Sequence, residues 1–117
     1  MQYMMLIYDQ EARWAALSEA EEAALRARHG AFADSLISRG QLVTGRELER
    51  SHTATVVREE DGGRVTTDGP FAETKEQLIG YAVLECRDLD EALAIAGRVP
   101  LLPGGAVEIR PVRRVEP

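Results

Sequence analysis

The chain has 117 residues, a length that suits one domain spanning 1–117 around a single core. Hydrophobic residues make up 44%, charged residues 29%, and the net charge is −6, which describes a folded chain rather than a disordered one. No Lys/Arg run exceeds the pair Arg113–Arg114, and without a basic stripe there is nothing to displace counterions from nucleic acid or to hold an anionic membrane.

The first apolar run, "QYMMLIY" at 2–8, ends at Asp9 and reads as a buried strand. It is too short to span a membrane and lacks the basic lead-in of a signal peptide, so a cytoplasmic location is expected. The preference for Arg over Lys and the wealth of Ala point to a GC-rich bacterial genome. Ser18 stands three before Glu21, the spacing of a capping box. The helix it opens runs from Glu19 to about Ser38, with Leu25, Phe32 and Leu36 on one stripe. Gly40 is its expected stop.

"QLVTGREL" at 41–48 reads as a second strand, with Gly45 marking a bulge or a close backbone approach. "TATVVRE" and "RVTTD" flank "EDGG", the signal of a hairpin, and the charge on its arms places it at an edge. "LIGYAVLEC" at 78–86 reads as the central strand, with Tyr81, Val83 and Glu85 on one face and Ala82, Leu84 and Cys86 on the other. Asp88 caps a helix over "LDEALAIAGRV", with Leu89, Ala92, Leu93 and Ala96 as the expected buried side. "AVEIRPV" at 106–112 closes as a strand.

Without the hairpin the order is βαββαβ, an α+β, ferredoxin-like plan with an antiparallel sheet and an inserted edge β-hairpin. Two helices cover only one face of such a sheet, so the other face must be paired, exposed or used. Glu85 and Arg110 are candidates for a cross-strand ion pair.

"DGPFAETKEQLIGYAVLECRDLDEAL" at 68–93, "GGAVEIRPV" at 104–112 and "HGAFADSLISRGQLVTGREL" at 29–48 together resemble the YCII-related family, in its DGPF-domain branch. The sequence departs from that pattern at Ile79–Gly80, where a Gly-Gly pair is commoner, and at Ala82, where an aromatic often sits. The resemblance implies a subunit that pairs sheet to sheet into a homodimeric α/β barrel enclosing a small-molecule pocket. It also implies genomic company with extracytoplasmic-function sigma factors, and hence a regulatory partner. The branch has no generally assigned reaction.

His29 falls four after Leu25 and three before Phe32, so it shares the apolar stripe. It is either a packed histidine with a hydrogen-bond partner or a general acid/base whose pKa near neutrality is useful. The wider family resembles this arrangement, with a helix histidine and an aspartate as its active-site pair. That makes Asp68 the expected partner, although Asp before Gly is also ordinary turn chemistry. Glu73 and Lys75 form the charged approach to the central strand, and Lys75 is the only lysine. With Tyr81 and Arg46 they are the candidate substrate-binding groups; the alternative for each is a solvated or packing role. Phe71 is expected to anchor the loop by packing, and Cys86 to be a small core residue. His29 and His52 have no HxxxH or HExxH spacing, so no metal and no cofactor is assigned. The expectation is a cofactor-independent acid/base enzyme. The alternatives are a non-catalytic ligand sensor acting with a sigma-factor regulator, and a structural dimer with a plugged barrel.

Overall fold

The computed structural model describes residues 1–114. The chain runs through β1 (Gln2–Asp9), α1 (Glu11–Ala15), α2 (Glu19–Ser38), β2 (Leu42–Glu47), a one-turn 3-10 helix (Ser51–Thr53), β3 (Thr55–Glu60), β4 (Gly63–Asp68), β5 (Gln77–Glu85), α3 (Leu89–Ala96) and β6 (Ala106–Pro111). β2, β5, β1 and β6 form an antiparallel four-stranded sheet in that order. The order and directions are those of a ferredoxin-like α+β fold.

α2 begins where its cap dictates. The Ser18 hydroxyl accepts from the Glu21 N–H at 3.1 Å, and the Glu21 carboxylate accepts from the Ser18 N–H at 2.9 Å. Both donors would otherwise be orphaned at the helix start. Ser18→Ala is expected to cost about 1 kcal/mol, read as a lower urea midpoint with an unchanged slope. α3 has a simpler cap, in which the Asp88 carboxylate accepts from the Glu91 N–H at 2.9 Å.

The helix-covered face of the sheet carries the core. Tyr3 and Met5 of β1 meet Ala82 and Leu84 of β5, with Cys86 just beyond, and they pack against Leu36 of α2 and Ala92, Ile95 and Val99 from α3 and the turn after it. The division of faces expected along the central strand is therefore observed. The buried side of α3 differs from the expected one, because Leu89 and Leu93 are exposed while Ala92 and Ile95 are buried. Ala92, Ile95 and Val99 recur at i, i+3 and i+7, an equally good helical stripe, and the longer side chains lie outside it.

The short helix α1 carries no strong sequence signal. It exists because Trp14 is buried against the end of β1, where its indole N–H reaches the Asp9 carboxylate. β2 contains the bulge at Val43, between Leu42 and Thr44, rather than at Gly45. Gly45 instead marks close approach: a Cβ there would lie 3.1 Å from the Tyr81 carbonyl oxygen and 3.3 Å from the Ala82 Cβ.

β3 and β4 form a hairpin closed by Asp61 and Gly62, whose φ values of 48° and 81° are those of a tight I′-type turn. The hairpin lies between β2 and β5 in sequence but forms its own two-stranded sheet rather than extending an edge of the main one. It gives the molecule extents of 48 × 47 × 19 Å and a radius of gyration of 16.3 Å, against about 13 Å for a compact domain of this length. No helix among the described residues is long and apolar enough to cross a membrane.

Glu85 and Arg110 do not pair. β1 separates their strands, and the Glu85 carboxylate instead meets the N-terminal ammonium at 2.7 Å.

Candidate functional site

The helix-covered face is incompletely filled. A cavity of ≈ 370 Å³ lies between α2 and the β2–β5–β1 part of the sheet. Its sheet side is low because Gly45, Gly80 and Ala82 present little or no side chain there. A Cβ at Gly80 would come within 3.1 Å of the Arg46 carbonyl oxygen, so the gap is built into the strand pairing. Across from it α2 contributes His29, Gly30, Phe32, Ala33 and Leu36. Met5, Ile7, Leu42 and Ile79 complete a largely apolar wall. Ala82, where the resemblance leads one to expect an aromatic, helps to keep the space open.

His29 is the polar group that stands out. Its ring lies 5.9 Å from the Trp14 ring, tilted by 42°. Its Nε2 is buried and has no hydrogen-bond partner. Burial holds its pKa below the ordinary imidazole value, against an upward pull from Glu47, Asp9 and a hydrogen bond to the Pro100 carbonyl; Arg28 pushes it further down. The ring is therefore neutral at pH 7. A buried, unpaired polar atom is costly to keep and calls for a reason.

The mouth is charged but internally matched. Arg26 Nη1 lies 2.8 and 3.0 Å from the two Glu47 oxygens, and its Nε lies 3.2 Å from Glu22. The same guanidinium stacks 5.5 Å from the Trp14 ring centroid.

Behind Trp14 sits Asp9, fully buried at 0% exposure. Its Oδ2 accepts from Trp14 Nε1 at 3.0 Å and from the Leu102 N–H at 3.2 Å, and its Oδ1 accepts from the Gln10 N–H at 3.1 Å. A Cβ at Gly105 would lie 3.0 Å from that Oδ1, so the carboxylate is enclosed on that side too. Asp9 thus fixes the indole against which His29 rests. Sequence reasoning missed it, because an acid at a strand end reads as a boundary.

The sequence candidates separate spatially. His29, Arg46 and Tyr81 all border the cavity, the last two where β2 pairs with β5. Strand alternation turns the Tyr81 and Arg46 side chains toward the uncovered face, away from Ala82 and Gly45. Asp68, Glu73 and Lys75 are exposed and do not line the cavity. Asp68 ends β4 opposite Thr55; the acids whose charge reaches His29 are Glu47 and Asp9.

Phe71 does not anchor its loop in the core. It is 72% exposed, with Arg58 stacked 4.7 Å from its ring and donating to its carbonyl oxygen at 2.8 Å. What ties the loop down is Gln77, whose side chain accepts from the Glu11 N–H at 2.9 Å and donates to the Thr74 carbonyl at 2.6 Å. Cys86 is buried and free, as a small core residue should be. Among the described residues no cluster of His, Cys, Asp or Glu is arranged to hold a metal ion.

The lowered His29 pKa has a consequence for stability. As pH falls below about 6.5 the unfolded chain takes up the imidazole proton before the folded one does. Stability is therefore full above that pH and is lost as pH falls toward the lowered folded value, then levels off. Urea denaturation from pH 7.5 to 5 is expected to show this loss in the wild type and a smaller one in His29→Leu.

The fold and the cavity describe a ferredoxin-like α+β domain with a small apolar chamber under its long helix. The comparisons give the family: a model of the YCII-related domain matches residues 1–116, and the chain belongs to that family. It is also 33% identical over 119 residues to an uncharacterised protein of Rhizobium meliloti (strain 1021), a match covering 100% of this chain and 96% of the relative.

Proposed function

We propose that this protein binds a small molecule in the cavity beneath α2 and that His29 exchanges a proton or a hydrogen bond with it. The observation that carries this reading is His29, which borders a largely apolar chamber with a charged mouth and whose Nε2 is buried without a partner. A neutral imidazole at pH 7 is suited to act as a general base. Asp68, Glu73 and Lys75 keep a part in this reading only as groups brought by a second chain or by movement of the hairpin.

The second chain belongs to the same proposal. On the uncovered face, Met4, Leu6 and Tyr8 of β1 lie beside Tyr81 and Val83 of β5 and are half-buried. Glu108 and Arg110 pair with Leu6 and Met4 at the β6 side, and Tyr8 donates to Glu108 at 3.3 Å. An apolar centre rimmed by both signs of charge suits a two-fold contact with another copy, in which opposite charges can meet. Light scattering at micromolar concentration is expected to give twice the chain mass, and Leu6→Arg to give the monomer.

Thermal-shift measurements against a metabolite library test the binding reading. At least one compound is expected to raise the Tm of the wild type and to lose that effect in His29→Leu. Chemical conversion of such a compound marks an enzyme, and saturable binding without conversion marks a sensor. A library in which every stabilising compound acts equally on both proteins contradicts the role of His29.

A further inference from the structure

The groups at the cavity mouth restrict what can enter it. Resting on the reading that the cavity binds a small molecule, and on no bond to His29, we infer that Glu47 is a specificity-determining residue: by occupying Arg26 it reserves the cavity for uncharged, apolar compounds of one or two rings.

The interior suits an apolar body. Gly45, Gly80 and Ala82 give the sheet side no polar side chain, and Phe32 and Leu36 of α2 border the same space. Trp14 and Phe32 supply aromatic surface. A neutral ring gains on leaving water for such a wall. A volume of ≈ 370 Å³ lies near the small end of ligand sites, which leaves room for one or two rings.

The mouth carries charge, but its cation is taken. Arg26 belongs to α2 and Glu47 ends β2, so their ion pair joins helix to strand. Arg26 Nη1 lies 2.8 and 3.0 Å from the two Glu47 oxygens, and its Nε is held by Glu22 at 3.2 Å. Two other arginines are near. Arg46 turns to the opposite face and donates back to the Gly45 carbonyl at 2.6 Å. Arg50 does not line the cavity. It borders a smaller cleft that shares Trp14, Arg26, Glu47 and Ile79 with the cavity, and it donates to the Glu11 carbonyl at 2.8 Å.

A ligand carboxylate at this mouth must therefore take Arg26 from Glu47, and a ligand ammonium must take Glu47 from Arg26. Either exchange makes one ion pair and breaks another. The desolvation of the incoming ion is then not offset. A carboxylate is also repelled by Glu47 and Glu22. An uncharged compound disturbs neither partner. Neutralising Glu47 changes this balance for one sign only, because Arg26 keeps Glu22 and gains free N–H donors for an anion.

Three probes of one scaffold test the assignment: naphthalene, naphthoate and protonated naphthylmethylamine. Each is titrated into the wild type and Glu47→Gln and followed by NMR at the Trp14 indole N–H and the Gly80 amide, both from residues that border the cavity. In the wild type naphthalene is expected to bind most tightly, with each ion about tenfold weaker. In Glu47→Gln the affinity for naphthalene should stay the same, that for naphthylmethylamine should not improve, and that for naphthoate should rise roughly threefold, the worth of one exposed ion pair. If either ion binds the wild type as tightly as naphthalene does, or if naphthoate gains nothing in Glu47→Gln, Glu47 does not set the specificity, while the cavity still binds small molecules. If none of the three moves the Trp14 or Gly80 signals, the cavity reading falls as well.

Discussion

Asp9→Ala is expected to destabilise the protein by about 4 kcal/mol, because it strips the acceptor from buried donors. Asp9 is wholly buried, and three N–H groups converge on it, from Trp14, Gln10 and Leu102. Truncation leaves the Trp14 indole N–H in the interior with nothing to replace the carboxylate. Each buried donor left unsatisfied costs roughly 1–3 kcal/mol, and small domains have only about 5–15 kcal/mol in total. Asp9→Asn keeps the shape and one oxygen, so its cost should be nearer 1–2 kcal/mol. Trp14→Phe removes the donor and keeps a ring. A double-mutant cycle between Asp9→Ala and Trp14→Phe should show coupling, since the two changes remove the same bond. Asp9→Asn should also lower the His29 titration midpoint further, because the Asp9 charge pulls that pKa up.

The second large effect belongs to Leu36→Ala, expected to cost about 3 kcal/mol. Leu36 is 1% exposed and packs in the core, and it also borders the cavity. Removing its branch deletes core contacts and enlarges the chamber. The variant should therefore lose stability in urea while admitting bulkier compounds than the wild type. Leu93→Ala is the contrast. Leu93 is 50% exposed on the outer side of α3, so its truncation should stay within about 0.5 kcal/mol of neutral. A large loss at Leu93 would mean that α3 packs by the face its sequence first suggests.

Much of the fold was readable because local signals agreed with the final packing. The Ser18–Glu21 capping box starts α2 where expected, the Asp61–Gly62 turn closes the hairpin, and β5 buries Ala82 and Leu84 on one side, with Cys86 just beyond its end. The misreadings came where tertiary contacts decide. α1 has too few residues to show a period and is held by tertiary bonds, from the Trp14 indole to Asp9 and between Glu11 and each of Gln77, Arg50 and Ser51. α3 has two apolar stripes, and only packing chooses between them. Phe71 looks like an anchor by residue type, but the hairpin and its loop stand off the main sheet.

The site was legible in part for the same reason. His29 could be singled out because it interrupts the apolar stripe of α2. Its surroundings could not, since Glu47, Asp9 and Pro100 come from a strand end, another strand end and the turn after α3. The aspartate that stands out in sequence, Asp68, is conspicuous for its turn. The one that supports the site, Asp9, is hidden by its position at the end of β1. The family model covers the chain but leaves the chemistry to such details.

The central claim is that burial beside the cavity holds the pKa of His29 down, with its Nε2 unpartnered. The most direct measurement is an NMR titration of its ring in the wild-type protein, repeated in Asp68→Asn, Asp9→Asn and Glu47→Gln. The account predicts a wild-type midpoint below about 6.5, lowered further by Asp9→Asn and by Glu47→Gln. A midpoint above the ordinary imidazole value would contradict it. A shift on Asp68→Asn would show that Asp68 reaches the ring in the assembled protein.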